Sequence, residues 1–171
     1  MRRKFPQNNQ AGHDFLHILF LSKRGTSRAV LASDILSKIL SDTSTIRFKV
    51  SFRGVTKVYD QCPVDNRINV FSYPSFNPRR ISRFADAGDL EISDLVITLD
   101  QESRDFTKLH RLGGKVYPIS LFLPPDYPEF IGDPYDRGES NSAEERHREI
   151  IEAIQCGCEG IKSFLDSSVM A

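Results

Sequence analysis

The sequence predicts an α/β domain, a three-layer sandwich with a central, roughly four-stranded parallel sheet and helices on both faces. Three observations carry this. The runs around Ile18-Leu19-Phe20-Leu21 and Leu95-Val96-Ile97 are continuously apolar, as strands covered on both faces require. Segments with apolar residues at helical spacing separate the strands, the alternation that builds parallel sheets. The chain, at 171 residues, is long enough to bury a sizeable core in one domain.

Residues 1–14, which include Gln7-Asn8-Asn9-Gln10-Ala11-Gly12, read as a mobile leader, and residues 15–171 as the domain. The stretch from Leu16 starts as a short apolar run, the mark of a buried strand. A polar loop holding Gly25 follows, and Val30, Leu31, Ile35, Ile39 and Leu40 then recur at helical spacing. A strand, a tight loop and a helix in that order aim backbone N–H groups and the positive end of the helix dipole at one point, a place to hold an anion. Arg28 at the helix start adds a guanidinium fit for a bidentate grip on a phosphate-like group. Taken alone, the stretch fits equally well an ordinary β–α turn with solvated basic residues. Neither G-x-x-x-x-G-K-[ST] nor G-x-G-x-x-G is present, which excludes the common nucleotide loops.

Ser41-Asp42-Thr43-Ser44 reads as a turn, and Ile46, Phe48 and Val50 alternate as a second strand. Val64 to Phe71 has a weak helical pattern. Ser93 to Asp100 is the clearest strand in the chain, and the helix Gln101 to His110 follows, ending at Gly113-Gly114. Val116 to Leu123 supplies a fourth strand, and Pro124-Pro125-Asp126-Tyr127-Pro128 a stiff loop. From His147 onward Ile151, Ile154, Cys158, Ile161 and Leu165 form a core-facing helical stripe. In sheets of this kind ligands bind beyond the C-terminal ends of the strands, where the Ser22–Arg28 loop falls.

Formal net charge is zero and 39% of residues are apolar, a balance without the basic excess of a nucleic-acid binder. No run approaches a membrane span, and Met1-Arg2-Arg3-Lys4 leads into no signal-peptide core. Three cysteines, Cys62, Cys156 and Cys158, make no even disulfide framework and point to a reducing, cytoplasmic setting. Cys156 and Cys158 stand two apart on a helix and so face different ways, which argues against a shared metal. No cofactor is called for, and oligomeric state is not legible.

The residues of the first loop resemble the low-molecular-weight protein tyrosine phosphatases and the related arsenate reductases. Their first strand ends in a Cys-x5-Arg loop of the form C-x-G-N-x-C-R-S. On that pattern Arg28 matches the phosphate-gripping arginine. Ser22 falls on the nucleophilic cysteine, Arg24 on the glycine, Gly25 on the asparagine, Ser27 on the second cysteine and Ala29 on the following serine. Ser51-Phe52-Arg53-Gly54-Val55 resembles the family's S-x-G-T strand exit, and Asp94 to Asp100 its D-x-I-x-x-M-D strand with Leu99 for methionine. Ser75-Phe76-Asn77-Pro78-Arg79-Arg80 stands where the family has an arginine-bearing loop near its rim. Arg79, Arg80 and Arg83 can extend a basic surface there, but solvated charges or structural salt-bridge donors are the favoured reading. Asp133-Pro134-Tyr135 resembles the D-P-[YF] loop, which would make Asp133 the general acid and Tyr135 the cleft wall, with Asp136 in place of a second tyrosine.

The resemblance implies a phosphate-binding loop made by Ser22, Lys23, Arg24, Gly25, Thr26, Ser27 and Arg28, with Ser22, Arg28 and Asp133 at the catalytic positions. Thiolate attack opens the family's reaction, and a serine hydroxyl needs a base to do the same. His17, within the strand, reads as a neutral half-buried residue. Ala29 and Gly25 also remove hydrogen-bonding side chains from the loop. The expected function is therefore a phosphatase-fold protein that binds phosphate or a phosphorylated protein and is inactive or weak, with no nucleic-acid or membrane partner. The alternative is an active phosphatase, working through a phosphocysteine intermediate with Asp133 as acid, whose nucleophile has been exchanged for Ser22. The extra redox cysteines of the reductases have no counterpart here, since Cys62 stands alone.

Overall fold

A computed structural model describes residues 15–43, 47–65, 79–135 and 142–169. The expected leader, Asp136 and most of the segments 64–71 and 75–80 lie outside them.

The continuous apolar run becomes β1, Leu16–Ser22, the strand on which the sheet is built. It pairs in parallel with β2, Phe48–Gly54, from Leu16 opposite Phe48 to Ser22 opposite Gly54. On its other side it pairs with β3, Leu95–Thr98, in the register Ile18 to Leu95. β4, Val116–Pro118, completes a four-stranded parallel sheet of order β2-β1-β3-β4.

Side chains that alternate along a strand reach opposite faces. Ile18, Phe20, Leu95 and Ile97 pack with α1, Arg28–Thr43, and with α4, Ala143–Val169, through Leu31, Ile35, Ile154, Cys158 and Ile161. Leu19, Leu21 and Val96 pack instead with Leu90 of α2, Ala87–Ile92, and Phe106 of α3, Gln101–Leu109. Helices thus cover both faces, and β1 can afford no outward polar residue along Ile18–Leu21.

Several boundaries differ from the sequence expectation. The strand expected over 93–100 is confined to Leu95–Thr98, because Asp100 turns to cap α3. β4 stops at Pro118, which has no N–H to continue the ladder, and Ile119–Phe122 forms a 3-10 turn where a longer strand was expected. α1 runs on to Thr43, through the residues read as a turn, with the Thr43 hydroxyl bonded back to the Ile39 carbonyl. α4 starts at Ala143, ahead of His147, with Glu144 and Glu145 favourably placed in its first turn. α2 was not anticipated. A capping box between Asp86 and Asp89 starts it, and Lys115 ends it by donating to the carbonyls of Leu90, Glu91 and Ser93. Burial lowers the Lys115 pKa, with Asp94 and Glu91 opposing. Among the described residues no helix is long and apolar enough to cross a membrane.

Candidate functional site

The loop between β1 and α1 lies at the C-terminal edge of the sheet. It is held by backbone contacts that the residue types make possible. Gly25 sits at φ +67°, a conformation that side chains disfavour, and a Cβ there would meet the Gly54 nitrogen at 2.4 Å. The approach is mutual, since a Cβ on Gly54 would meet the Arg24 carbonyl oxygen at 2.4 Å. The two glycines let the loop rest directly on the end of β2.

The loop's carbonyls are consumed on its outer side. That of Lys23 accepts from the Val55 and Thr56 N–H groups, at 3.2 and 3.0 Å, and that of Arg24 from the Ser82 hydroxyl at 2.9 Å. The Thr26 carbonyl accepts from the Asp65 N–H at 2.8 Å. The Gly25 N–H donates to Ser22 Oγ at 3.1 Å. The N–H groups of Arg24, Thr26, Ser27 and Arg28 have no acceptor among the described residues. Bound carbonyls and open amides at the start of a helix are the polarity that an oxyanion requires.

Arg28 is buried, 4% exposed, and fully positioned: Nη1 donates to the Ile131 carbonyl at 2.7 Å, and Nη2 lies 2.9 Å from Asp100 Oδ2. The same Asp100 oxygen accepts the Lys23 N–H at 2.7 Å, while Oδ1 accepts the Ser103 N–H at the start of α3. One carboxylate therefore ties the loop, its arginine and the next helix together. Sequence reasoning saw Asp100 only as the end of a strand, and its capping signal, an Asp three residues before Ser103, was there to be read. Tyr59, Glu102 and Ile131 were also missed, and nothing local marks them.

Lys23, Arg24, Arg28, Asp133 and Tyr135 share one cleft of about 410 Å³ with Asp100 and Glu102. Ser22, Thr26 and Ser27 are buried in the loop behind it. A larger groove, about 620 Å³ between Phe122 and Phe164, contains none of the loop's residues. Each cation of the cleft faces a carboxylate. Lys23 Nζ lies 3.9 Å from Glu102, Arg24 Nη2 lies 3.5 Å from Asp133, and Arg28 is paired with Asp100. The excess of positive charge that the loop shows as a sequence is thus largely balanced in three dimensions. The other Asp133 oxygen accepts the Tyr135 N–H at 2.9 Å. The Arg24 guanidinium carbon stands 5.1 Å from the Tyr59 ring centroid and 5.7 Å from that of Tyr135.

Among the described residues no histidine lines the cleft. His17 is half-buried near the opposite end of β1, roughly 16 Å along the strand from Ser22. Arg80 makes a two-pronged pair with Asp34 of α1, at 2.7 and 2.6 Å, the structural use expected of it, while Arg83 is exposed. Cys158 is buried, its thiol pKa raised by burial, and all three cysteines are free.

No protein-family model and no curated protein matches the chain. Solved structures do. A protein tyrosine phosphatase from Entamoeba histolytica aligns with a TM-score of 0.76 at 17% identity, covering 89% of this chain and 97% of its own. A low-molecular-weight phosphotyrosine phosphatase from Vibrio cholerae aligns at 0.69 and 18%, covering 86% and 95%. The fold is the low-molecular-weight phosphatase fold. An arginine phosphatase from Drosophila shares it, at 0.70 and 17% over 85% of this chain and 95% of its own. At such identities the phosphatase fold is shared, while the chemistry must be argued from the residues of the site.

Proposed function

We propose that this chain binds phosphate, or the phosphate group of a phosphorylated protein, in the Ser22–Arg28 loop, and hydrolyses phosphate esters weakly or not at all. The observation that carries this is the polarity of the loop: its carbonyls are bonded outward, its Arg24, Thr26, Ser27 and Arg28 amides are left open, and Arg28 is locked beside them. A cytoplasmic setting accords with three free cysteines. The Entamoeba structure holds Hepes, a sulfonate-bearing buffer, in its active site, which accords with an oxyanion site in this fold.

Turnover needs a nucleophile, and Ser22 is poorly equipped. Its oxygen already accepts the Gly25 N–H, no histidine among the described residues lines the cleft, and the Asp100 carboxylate that grips the loop is committed to three donors. A serine without a base transfers its proton too slowly for efficient attack. A second reading draws on Asp133, which lines the same cleft as Arg28 and so stands where a proton donor to a leaving group is useful. On that reading the site lacks only a thiol.

Thermal unfolding in phosphate, vanadate or tungstate tests the binding site. An oxyanion at 100 times its dissociation constant adds about 2.7 kcal/mol, and Arg28→Lys is expected to remove most of that shift. An unshifted melt at millimolar oxyanion overturns the proposal. Release of inorganic phosphate from acetyl phosphate by the chain and by Ser22→Cys then separates the two readings. Activity confined to the cysteine variant shows a built site without a nucleophile, inactivity of both leaves binding as the function, and activity of the native chain makes Ser22 a nucleophile after all.

A further inference from the structure

We propose that Arg24 sets the substrate class of this cleft: its guanidinium covers the Tyr135 ring while standing over Tyr59 as well, so the site takes inorganic phosphate or a phosphate on a slender aliphatic carrier and rejects an aryl phosphate. The inference rests on the reading of the loop as a phosphate site and deepens it.

Position 24 carries a glycine in the motif that the loop resembles, and a glycine would leave the Tyr135 ring uncovered on the Arg24 side. Here a guanidinium stands within cation–π distance of both rings, 5.1 Å from Tyr59 and 5.7 Å from Tyr135. Asp133 holds it there at 3.5 Å. The backbone behind it has no freedom to retreat, because the Arg24 carbonyl accepts from Ser82 and rests against Gly54. Its Nε is buried with no hydrogen-bond partner, the mark of a group packed for shape rather than for solvation.

A phenyl ring presents two flat faces and needs two walls at stacking distance. Tyr135 lines this cleft and Tyr59 stands on Arg24 from outside it, and both rings already face the guanidinium, so a phosphorylated ring that stacks on Tyr135 must expel Arg24 from its aromatic contacts and an ion pair. The single methylene of a phosphorylated serine needs no such face, and a free oxyanion needs none at all. Arg24 would therefore act on the carrier and not on the phosphate, which the loop amides and Arg28 hold.

Isothermal titration with three probes tests this: tungstate, N-acetyl-O-phosphoserine amide and N-acetyl-O-phosphotyrosine amide, each against the native chain, Arg24→Gly and Arg24→Ala. The native chain should bind the phosphoserine probe at least tenfold more tightly than the phosphotyrosine probe. Both variants should erase that preference or reverse it, with tungstate affinity changed by less than the ratio of the two organic probes. Equal binding of the two organic probes by the native chain overturns the proposal. So does a preference that survives in whichever variant melts cooperatively. Tungstate bound throughout with an unaltered preference overturns this proposal alone, whereas no tungstate binding by any of the three proteins overturns the phosphate-site reading and this one with it.

Discussion

The helices that follow β1 and β3 leave neighbouring ends of the same sheet, yet they begin in opposite ways. α3 is closed by its own chain: Asp100 accepts the Ser103 N–H, and Ser103 accepts the Asp100 N–H in return. α2 is closed in the same manner by Asp86 and Asp89. α1 has no acidic residue in its first turn, and the N–H groups of Arg24, Thr26, Ser27 and Arg28 have no acceptor among the described residues. A capped helix end gains stability locally, while an uncapped one at the edge of a parallel sheet leaves its amides open, the polarity on which the proposed oxyanion site rests. Asp100 belongs to both arrangements, since the carboxylate that closes α3 also grips Lys23 and Arg28 at the start of α1.

The sharpest way to break this contrast is Asp100→Ala. It strands the buried Arg28 guanidinium, frees the Lys23 N–H and removes a cap, so a loss of about 3–5 kcal/mol is expected in urea unfolding. Gly25→Ala comes next: the positive φ alone costs about 1–3 kcal/mol, and contact with Gly54 pushes the loop off β2, so oxyanion stabilisation of the melt should fall as well. Asp86→Ala removes a cap that does nothing else for the cleft, and about 1 kcal/mol is expected with oxyanion binding intact. Equal losses from Asp86→Ala and Asp100→Ala would show that Asp100 is only a cap, and the link between the two helix starts would be gone.

Much of this was legible along the chain. Ile18–Leu21 and Leu95–Ile97 are apolar on consecutive residues, which only a doubly covered strand tolerates, and both became the centre of the sheet. The stripe from Ile154 to Leu165 became the face of α4 against the sheet. The resemblance of the Ser22–Arg28 and Asp133–Tyr135 stretches to the phosphatase loops implied one site, and Arg28, Asp133 and Tyr135 do line one cleft. α2 was not legible, because Ala87–Ile92 is a short helix burying only Leu90, too little for a period to register. The length of β4 was misjudged because apolar residues continue past Pro118 into a turn, and a run of apolar side chains carries no information about ladder partners.

The sequence by itself determined the strands, the long helices and the kinds of side chain brought to the loop, because local periodicity and burial follow from residue order. Only the tertiary structure decided what those side chains do. Arg28 meets Ile131 across 103 residues, Lys23 meets Asp100 across 77, and the loop's cations find carboxylates that stand elsewhere in the chain. Charges add along a sequence regardless of distance, but their interaction falls with separation in space. The loop brings Lys23, Arg24 and Arg28 together in one dimension, yet in three each of them faces a carboxylate and the cleft is close to balanced.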